Sequence, residues 1–393
     1  MKFSFYMPTR VLFGAGSLEK LGTMPLPGKK ALIVCSAGGS MKTNGYLDRV
    51  VALLASNGAE SVIFDKIQPN PVKSHVMEGA ALARKTGCDF VLGIGGGSSI
   101  DSAKSIAFMA LNPGDYWDYI TGGTGKGQAP AAGALPVVAV TTTAGTGTEA
   151  DPWTVITREE TSEKIGFGNN STFPVLSIVD AELMTTVPPA LTAYQGFDAL
   201  FHAVEGYIAG IATPVSDILA LKSIELIAAW LPEAVKNGTN LTARENVALA
   251  NTLSGMVEST SSCTSEHSLE HAMSAFHPAL PHGAGLIMLS LAYHGFFLER
   301  VVPERYEAMA AAMGQKTDLM PPEKRPAAFL TALKELIEAC GLSELKMSDY
   351  GITAGELPAL AENARTTMGG LFGMDRYPLT REDTVEIYRK AFR

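Results

Sequence analysis

The sequence of 393 residues predicts an α/β domain with a parallel sheet over residues 1–188 and an all-helical domain over residues 189–393. Most of the 39 glycines and nearly all short β-branched runs lie in the first part. In the second part, long segments with a helical period of apolar residues take over. Strands and helices that alternate at the observed spacing are typical of βαβ units, so we expect a sheet covered on both faces.

The apolar patterns place the individual elements. Short β-branched runs predict strands at residues 31–35, 61–64, 90–94, 137–140 and 175–179. Helical periodicity predicts helices at 46–56 and 72–85 in the first domain, and at 192–209, 214–229, 243–258, 304–313 and 326–339 in the second. Thr192 with Gln195 predicts a capping box for the first helix of the second domain, and Thr380 with Asp383 predicts another for the last helix.

Composition and charge argue against several classes of protein. The chain has 31 Lys and Arg against 40 Asp and Glu, a net charge of −9, which offers no basic surface to nucleic acid. The four cysteines lie far apart without a CxxC pair, so they fit neither a disulfide framework nor a thiolate zinc site. The most apolar later stretch, 284–293, is about half the length of a membrane span. We therefore expect a cytoplasmic protein that binds neither nucleic acid nor membrane.

Glycine-rich loops follow three of the predicted strands. The second of these loops contains Gly95, Gly96, Gly97 and Ser98. It leads from a strand into a helix, a layout in which backbone N–H groups and the helix N-terminus receive a phosphate. The spacing is neither GxGxxG nor a Walker A loop, and a plain turn is the alternative. Ser98 with Asp101 predicts a capping box for the helix. The third loop, 141–149, is dense in hydroxyls and glycines, with a polar turn as its alternative.

The loop after the first predicted strand bears on the choice between NAD and NADP. It contains Ser36, Gly38, Gly39, Ser40 and Lys42. In dinucleotide-binding folds, an acidic residue at this place accepts a hydrogen bond from the adenosine ribose and would repel a 2′-phosphate. This loop carries no Asp or Glu and offers room, a donor and a cation instead. The sequence therefore favours NADP(H) over NAD(H).

Four of the seven histidines fall within one short segment. His267 and His271 are four residues apart and share a face of a predicted helix, and two prolines then allow the chain to return His282 to the same region. Asp198 and His202 have the same spacing on an earlier apolar helix, where burial is costly unless the groups are paired or bind an ion. Asp198, His202, His267 and His282 together suit Fe(II) or Zn(II). Hydrogen-bonded helix residues without a metal are the alternative.

Taken in order, these motifs resemble the iron-containing, group III alcohol dehydrogenase family and, within it, the butanol-dehydrogenase-like branch. The motifs are Gly95-Gly96-Gly97-Ser98 with Asp101 and Lys104, Thr142-Thr143-Ala144-Gly145-Thr146-Gly147, Gly196-Phe197-Asp198-Ala199 with His202, His267-x3-His271 and Pro281-His282-Gly283. The resemblance implies a dehydroquinate synthase-like fold, a nicotinamide cofactor and one divalent metal, with Fe(II) favoured and Zn(II) as the alternative. It also implies a homo-oligomer that interconverts a small alcohol and its aldehyde.

The resemblance further implies roles for individual residues. The four residues Asp198, His202, His267 and His282 are the metal ligands, and His271 lies near the nicotinamide. Cofactor contacts fall on Asn70, Gly96, Gly97, Ser98, Thr142, Thr143, Thr146 and Lys164. We expect His271 to relay a proton, with orientation of a ligand or packing on the cofactor as the alternative. Three features depart from the family pattern: Thr141, Tyr194 and the longer stretch from His271 to His282. The resemblance places them near the substrate, so they bear on the identity of the substrate more than on the reaction.

Two further hypotheses fit the same motifs. A glycerol-type polyol dehydrogenase or a dehydroquinate synthase-like lyase would share the scaffold, but the spacing of the C-terminal histidines favours an alcohol dehydrogenase. A nucleotide-binding protein without catalysis is disfavoured by the intact set of metal ligands. Turnover of simple alcohols and aldehydes separates these hypotheses.

Overall fold

A computed structural model describes residues 2–393, which divide into two units. The first unit is Tyr6–Thr186, and the second is Val187–Arg393 together with residues 2–5. Every strand in the described part of the chain lies in the first unit, and the second consists of helices and turns. The predicted fold class is confirmed.

A six-stranded parallel sheet forms the centre of the first unit. The described strands are β1 (Arg10–Phe13), β2 (Lys30–Ser36), β3 (Glu60–Ile67), β4 (Phe90–Gly95), β5 (Val137–Thr141), β6 (Thr154–Arg158), β7 (Glu163–Phe167) and β8 (Leu176–Val179). The sheet order is β1-β8-β5-β4-β2-β3, and β6 and β7 form a separate antiparallel pair. The five predicted strands are all members of the sheet. The short edge strand β1 and the β6–β7 pair were not predicted.

Burial along the strands agrees with this order. Every residue of β4 and β5 is buried, as expected for central strands with nearly continuous apolar sequences and helices on both faces. β3 lies at the edge and is partly exposed. The helices of this unit are α1 (Ser40–Thr43), α2 (Tyr46–Ser56), α3 (Lys73–Thr86) and α4 (Gly97–Leu111). The prediction for α2 is confirmed to the residue, and α3 is shifted by one position.

The strand order creates a topological switch point between β2 and β4. From β2 the chain continues to β3 on one side, whereas from β4 it continues to β5 on the other. In open α/β sheets, ligands bind at the carboxyl ends of the strands beside such a point. The three glycine-rich loops follow β2, β4 and β5, and because these strands are parallel the loops leave the same edge of the sheet.

Asp101 does not cap α4, so this prediction is wrong. The helix begins at Gly97 and has no side-chain cap. The Asp101 carboxylate instead accepts hydrogen bonds from Thr148 Oγ1 at 2.7 Å and from the Val155 N–H at 2.9 Å. Lys104, fully buried, donates to Thr148 Oγ1 at 2.6 Å. These bonds tie the segment after β5 to α4, which explains why two charged residues are buried here.

The second unit is helical throughout. Its helices are α5 (Pro189–Ile208), α6 (Pro214–Lys236), α7 (Leu241–Glu258), α8 (Ser265–Phe276), α9 (His282–Leu298), α10 (Pro303–Ala312), α11 (Ala328–Ala339), α12 (Leu357–Thr367), α13 (Gly369–Phe372) and α14 (Arg381–Ala391). The capping box of Thr380 and Asp383 at α14 is confirmed. The one predicted at Thr192 is wrong, because α5 begins a turn earlier at Pro189, where proline fits the first helical position.

The helix α5 is buried on nearly all sides, as a central helix should be. A Cβ atom on Gly196 would lie 2.2 Å from a methyl carbon of Leu231 in α6, and one on Gly206 would lie 2.2 Å from a methyl carbon of Val257 in α7. These two glycines therefore allow the neighbouring helices to approach closely. Within residues 2–393, no helix combines the length and apolarity needed to cross a membrane.

Candidate functional site

Four predicted ligands meet inside the second unit, and we call them the ligand cluster: Asp198, His202, His267 and His282. Asp198 and His202 are one turn apart on α5, His267 lies on α8, and His282 is the first residue of α9. Pro281 precedes α9 and sets the direction in which that helix begins. The helical spacing read from the sequence thus places side chains from three helices around one point.

The Asp198 carboxylate lies at the centre of the ligand cluster. Its Oδ1 atom is 3.4 Å from His202 Nδ1, 3.6 Å from His267 Nε2 and 3.4 Å from His282 Nε2. Asp198, His267 and His282 each offer one donor atom, and these three atoms all lie within 4.8 Å of one another. The His202 ring lies beside that of His267, with centroids 4.4 Å apart and ring planes tilted by 44°.

The ligand cluster fits a divalent cation. Asp198 Oδ1 and His267 Nε2 are buried, and neither has a hydrogen bond of normal length within the described chain. Burial lowers the pKa of His202 to about 4, so this imidazole is neutral at neutral pH. Burial opposes ionisation of Asp198, but the surrounding imidazoles together outweigh it and hold the pKa of the carboxyl well below its usual value. A carboxylate and neutral imidazoles are the donors that Fe(II) and Zn(II) take.

Two further carboxylates reach the same imidazoles and were missed from the sequence. Glu205 Oε1 accepts a hydrogen bond from His267 Nδ1, and Glu270 Oε2 accepts one from His282 Nδ1. Both glutamates are fully buried. A signal for Glu205 was present, because it follows Asp198 by seven residues and His202 by three on the same helix, which places all three on one face.

The other histidines differ in their surroundings. His271 is 4% exposed, and its ring centroid lies 5.2 Å from that of His282. Its Nδ1 is 2.8 Å from the Met368 sulfur. His277 directly follows α8 and pairs with Glu356 at 2.9 Å, so it lies outside the ligand cluster.

The nucleotide-site candidates lie in the first unit and form three loops, which we call loop 1 (residues 36–42), loop 2 (95–98) and loop 3 (141–149). Loops 2 and 3 are joined by a hydrogen bond from the Thr142 N–H to the Gly95 carbonyl at 2.9 Å. Gly97 and Ser98 open α4, whose first N–H groups lack partners within the helix. Such donors at the switch point can receive a pyrophosphate.

Side-chain volume explains the glycines of loop 2. A Cβ atom on Gly96 would lie 2.9 Å from Thr143 Oγ1, and one on Gly97 would lie 2.3 Å from Thr146 Cγ2. Loop 2 can therefore approach loop 3 only with glycine at both positions. The predicted residues Thr143 and Thr146 lie directly beside the predicted glycines.

Asn70 and Lys164 also lie together. Lys164 Nζ, on β7, donates to Asn70 Oδ1 at 3.1 Å. Asn70 follows β3 and has a φ of 53°, in the left-handed region that asparagine tolerates. Next to it, the Thr157 N–H donates to the Pro71 carbonyl at 2.8 Å. The unpredicted β6–β7 pair therefore holds Lys164 beside the loop that follows β3.

Loop 1 begins at Ser36, the last residue of β2. The Ala37 N–H donates to the Ile67 carbonyl at 2.8 Å, which ties the loop to the end of β3. Lys42 forms an exposed ion pair with Asp65, and this hydrogen bond lowers the pKa of the carboxyl. The cation read from the sequence is thus already paired with a carboxylate. Gly38, Gly39 and Ser40 remain as the uncharged part of the loop.

Comparison with known families covers nearly the whole chain. The family model described as iron-containing alcohol dehydrogenase matches residues 8–181. The model of the C-terminal part of the Fe-containing alcohol dehydrogenase family matches residues 192–392.

Individual relatives are similar over more than nine-tenths of their length. A 1,3-propanediol dehydrogenase of Citrobacter freundii is 34% identical, with 99% of each chain covered. An NAD-dependent methanol dehydrogenase of Bacillus methanolicus is 32% identical over 92% of this chain and 93% of its own. The crystal structure of an archaeal halo-thermophilic alcohol dehydrogenase from a Red Sea brine pool has a TM-score of 0.94 and 34% identity, and covers 100% of this chain and 99% of that one.

Proposed function

Because the chain belongs to the iron-containing alcohol dehydrogenase family, we propose that its ligand cluster holds the metal and that loops 1 to 3 bind NADP(H). The family resemblance read from the motifs is confirmed, and the protein is a nicotinamide-linked oxidoreductase of alcohols and aldehydes. The observation that carries the proposed metal site is the buried Asp198 carboxylate, whose Oδ1 lies 3.6 Å from His267 Nε2 and 3.4 Å from His282 Nε2, with the His202 ring beside that of His267. We assign residues 1–188 to the dinucleotide and residues 189–393 to the metal and catalysis.

The ligand cluster provides one carboxylate and three imidazoles for Fe(II), with Zn(II) as the alternative. A cation held there supplies Lewis-acid polarisation of the substrate oxygen, and the nicotinamide supplies or takes the hydride. The protein's own contribution is to fix these donors on three helices and to bury them. Low exposure of Asp198 and His267 excludes water from the donors, which strengthens electrostatic interactions at this point.

We propose His271 as the catalytic residue that moves a proton near the substrate. It is a buried imidazole one turn from His267, and its ring neighbours that of His282. Both nitrogens of an imidazole can exchange protons near neutral pH, which suits transfer between an alcohol oxygen and solvent. The alternative, that His271 orients a ligand, predicts loss of the metal when His271 is substituted.

The proposed preference for NADP(H) rests on loop 1, which carries no carboxylate, and whose one cation neutralises Asp65. Ser36 is the position from which an introduced carboxylate would repel a 2′-phosphate. We therefore expect Ser36→Asp to lower the ratio of kcat/KM for NADPH to kcat/KM for NADH by about 10- to 100-fold, because like charges brought together cost several kcal/mol. Steady-state kinetics with both cofactors measures the ratio.

Ser36→Asn is the matched control, since it has nearly the same shape as the aspartate and no charge. It should leave the ratio within about threefold of the wild-type value. A wild-type enzyme that prefers NADH, or an unchanged ratio in Ser36→Asp, would contradict the assignment of loop 1.

The proposed function is tested by following absorbance at 340 nm. Purified protein is assayed with NADPH or NADH against a panel of small aldehydes, then again after chelation and after reloading with Fe(II) or Zn(II). We expect oxidation of NADPH that is lost on chelation and restored by metal. Full activity in protein whose metal content is near zero by mass spectrometry would overturn the metal assignment.

We also propose a cytoplasmic homo-oligomer. Four buried cysteines without a disulfide suit a reducing compartment, and the family resemblance supports self-association. Sedimentation velocity of the purified protein tests the second part, with a mass above that of one 41.5 kDa chain as the expected result and a monomer as the contrary one.

A further inference from the structure

We infer that Glu205 and Glu270 are positioning residues that fix the imidazoles of His267 and His282 for metal binding. Each carboxylate lies on the Nδ1 side of its imidazole, and the Nε2 atom of each ring faces Asp198. This inference rests on the proposed metal site and extends it to two residues that do not themselves bind the ion.

The tautomer follows from the chemistry of the partners. A carboxylate only accepts hydrogen bonds, so the Nδ1 atom that faces it carries the proton. In the neutral form that binds a metal, the lone pair of each ring then lies on Nε2, which points toward Asp198. His202 is held in another way, because its Nδ1 faces the backbone carbonyl of Asp198 at 2.8 Å. All three imidazoles of the ligand cluster thus have an acceptor at Nδ1, and for two of them it is a buried carboxylate.

The surroundings of Glu205 hold it in one place. Its Oε2 accepts from the Thr264 N–H at 2.7 Å and from Thr264 Oγ1 at 2.9 Å, which leaves Oε1 for His267. The carboxylate is thereby fixed behind the ring rather than free to enter the ligand cluster.

The helix α9, which carries His282, leaves room for the Glu270 side chain. A Cβ atom on Gly285 of α9 would lie 2.7 Å from Glu270 Cγ and 2.9 Å from its Oε1. Glycine at this position therefore leaves room for the carboxyl beside the start of α9, where His282 lies. The contact depends on the helices α8 and α9 being closely packed.

The test measures metal affinity without substrate or cofactor. Metal-free protein is titrated with Zn(II) against a chromophoric chelator, for wild type and for Glu205→Gln, Glu270→Gln and Glu270→Ala. We expect the Kd for Zn(II) to rise about 10- to 100-fold on loss of each carboxylate, the range found for such outer partners of ligating histidines. Because an amide oxygen can still accept from Nδ1, Glu270→Gln should lose less affinity than Glu270→Ala.

Glu356→Gln is the matched control. It removes the carboxylate from another glutamate–histidine pair, that of His277, outside the ligand cluster. It should leave the Kd for Zn(II) within about threefold of wild type. The visible absorption of bound Co(II) is a second readout, and it should change in the Glu205 and Glu270 variants but not in Glu356→Gln. A role in folding alone would lower the Tm of the metal-free variants without changing this spectrum.

The outcomes separate this inference from the proposed function. Wild-type protein that binds no Zn(II) would overturn the metal site and the inference together. Wild type that binds one Zn(II), with Kd and Co(II) spectrum unchanged in the variants, would overturn the inference alone. Should Glu205→Gln not fold, the Glu270 variants still decide, because they remove the other carboxylate, the one that faces His282 Nδ1.

Discussion

His267→Ala is expected to remove the metal and to lower kcat by at least about 1000-fold. His267 is 3% exposed and its Nε2 lies 3.6 Å from Asp198 Oδ1, so the substitution removes a buried nitrogen donor from the ligand cluster. Lewis-acid catalysis is worth several kcal/mol, and each 1.4 kcal/mol is a factor of ten in rate. Metal content by mass spectrometry and steady-state kinetics on the same sample measure both effects. An active variant that retains a full equivalent of metal would contradict the ligand assignment.

Two further histidine variants distinguish ligands from their neighbours. His271→Gln should retain the metal while kcat falls by about 100-fold or more, the usual contribution of a proton-transferring residue. His277→Ala should retain both metal and kcat, because His277 pairs with Glu356 outside the ligand cluster. Loss of metal in His271→Gln would instead favour its alternative role, the orientation of a ligand.

Gly283→Ala is expected to destabilise the second unit and weaken metal binding. A Cβ atom on Gly283 would lie 2.0 Å from the backbone carbonyl oxygen of Tyr194. Backbone cannot rotate away as a side chain can, so the start of α9 must move from α5, and His282 moves with it. We expect a loss of about 1–3 kcal/mol in the free energy of unfolding, as for other overpacked sites, and at least a tenfold rise in the Kd for Zn(II).

Gly295→Ala on the same helix is the control. The nearest atom to an added Cβ atom is Leu330 Cδ1 at 4.0 Å, an ordinary contact. Alanine is favoured over glycine within a helix by up to about 1 kcal/mol, so this variant should be as stable as wild type or more so. Denaturant unfolding of the two metal-free variants compares them. Equal stability would show that the contact between Gly283 and Tyr194 does not constrain the helices.

Local sequence patterns predicted those strands and helices that are marked by a continuous apolar run or a helical period. Nearly continuous apolar runs identified β4 and β5, and helical periodicity identified α2 to the residue. The strand β1 has four residues and pairs with β8, more than 160 positions away, so nothing near it in the sequence marks it as a strand. Thr192 suggested the start of a helix, but the helix begins earlier, at Pro189.

The sequence also predicted part of the candidate site, namely the four members of the ligand cluster. A spacing of four residues identified candidate donors on the predicted helices. The structure places all four members of the ligand cluster together. Glu270 could not be assigned, because its contact with His282 depends on the packing of α8 against α9 and on the absence of a side chain at Gly285. Lys42 was read as a cation for a phosphate, whereas its partner Asp65 comes from the neighbouring strand.

The central claim is that one metal ion lies among Asp198, His202, His267 and His282. Anomalous diffraction at the zinc edge, from crystals of protein loaded with Zn(II), tests it most directly. We predict one strong peak within bonding distance of donor atoms from these four side chains. A peak instead among Glu270, His271 and His282, whose donor atoms also lie within 4.8 Å of one another, or no peak in the second unit, would contradict the claim.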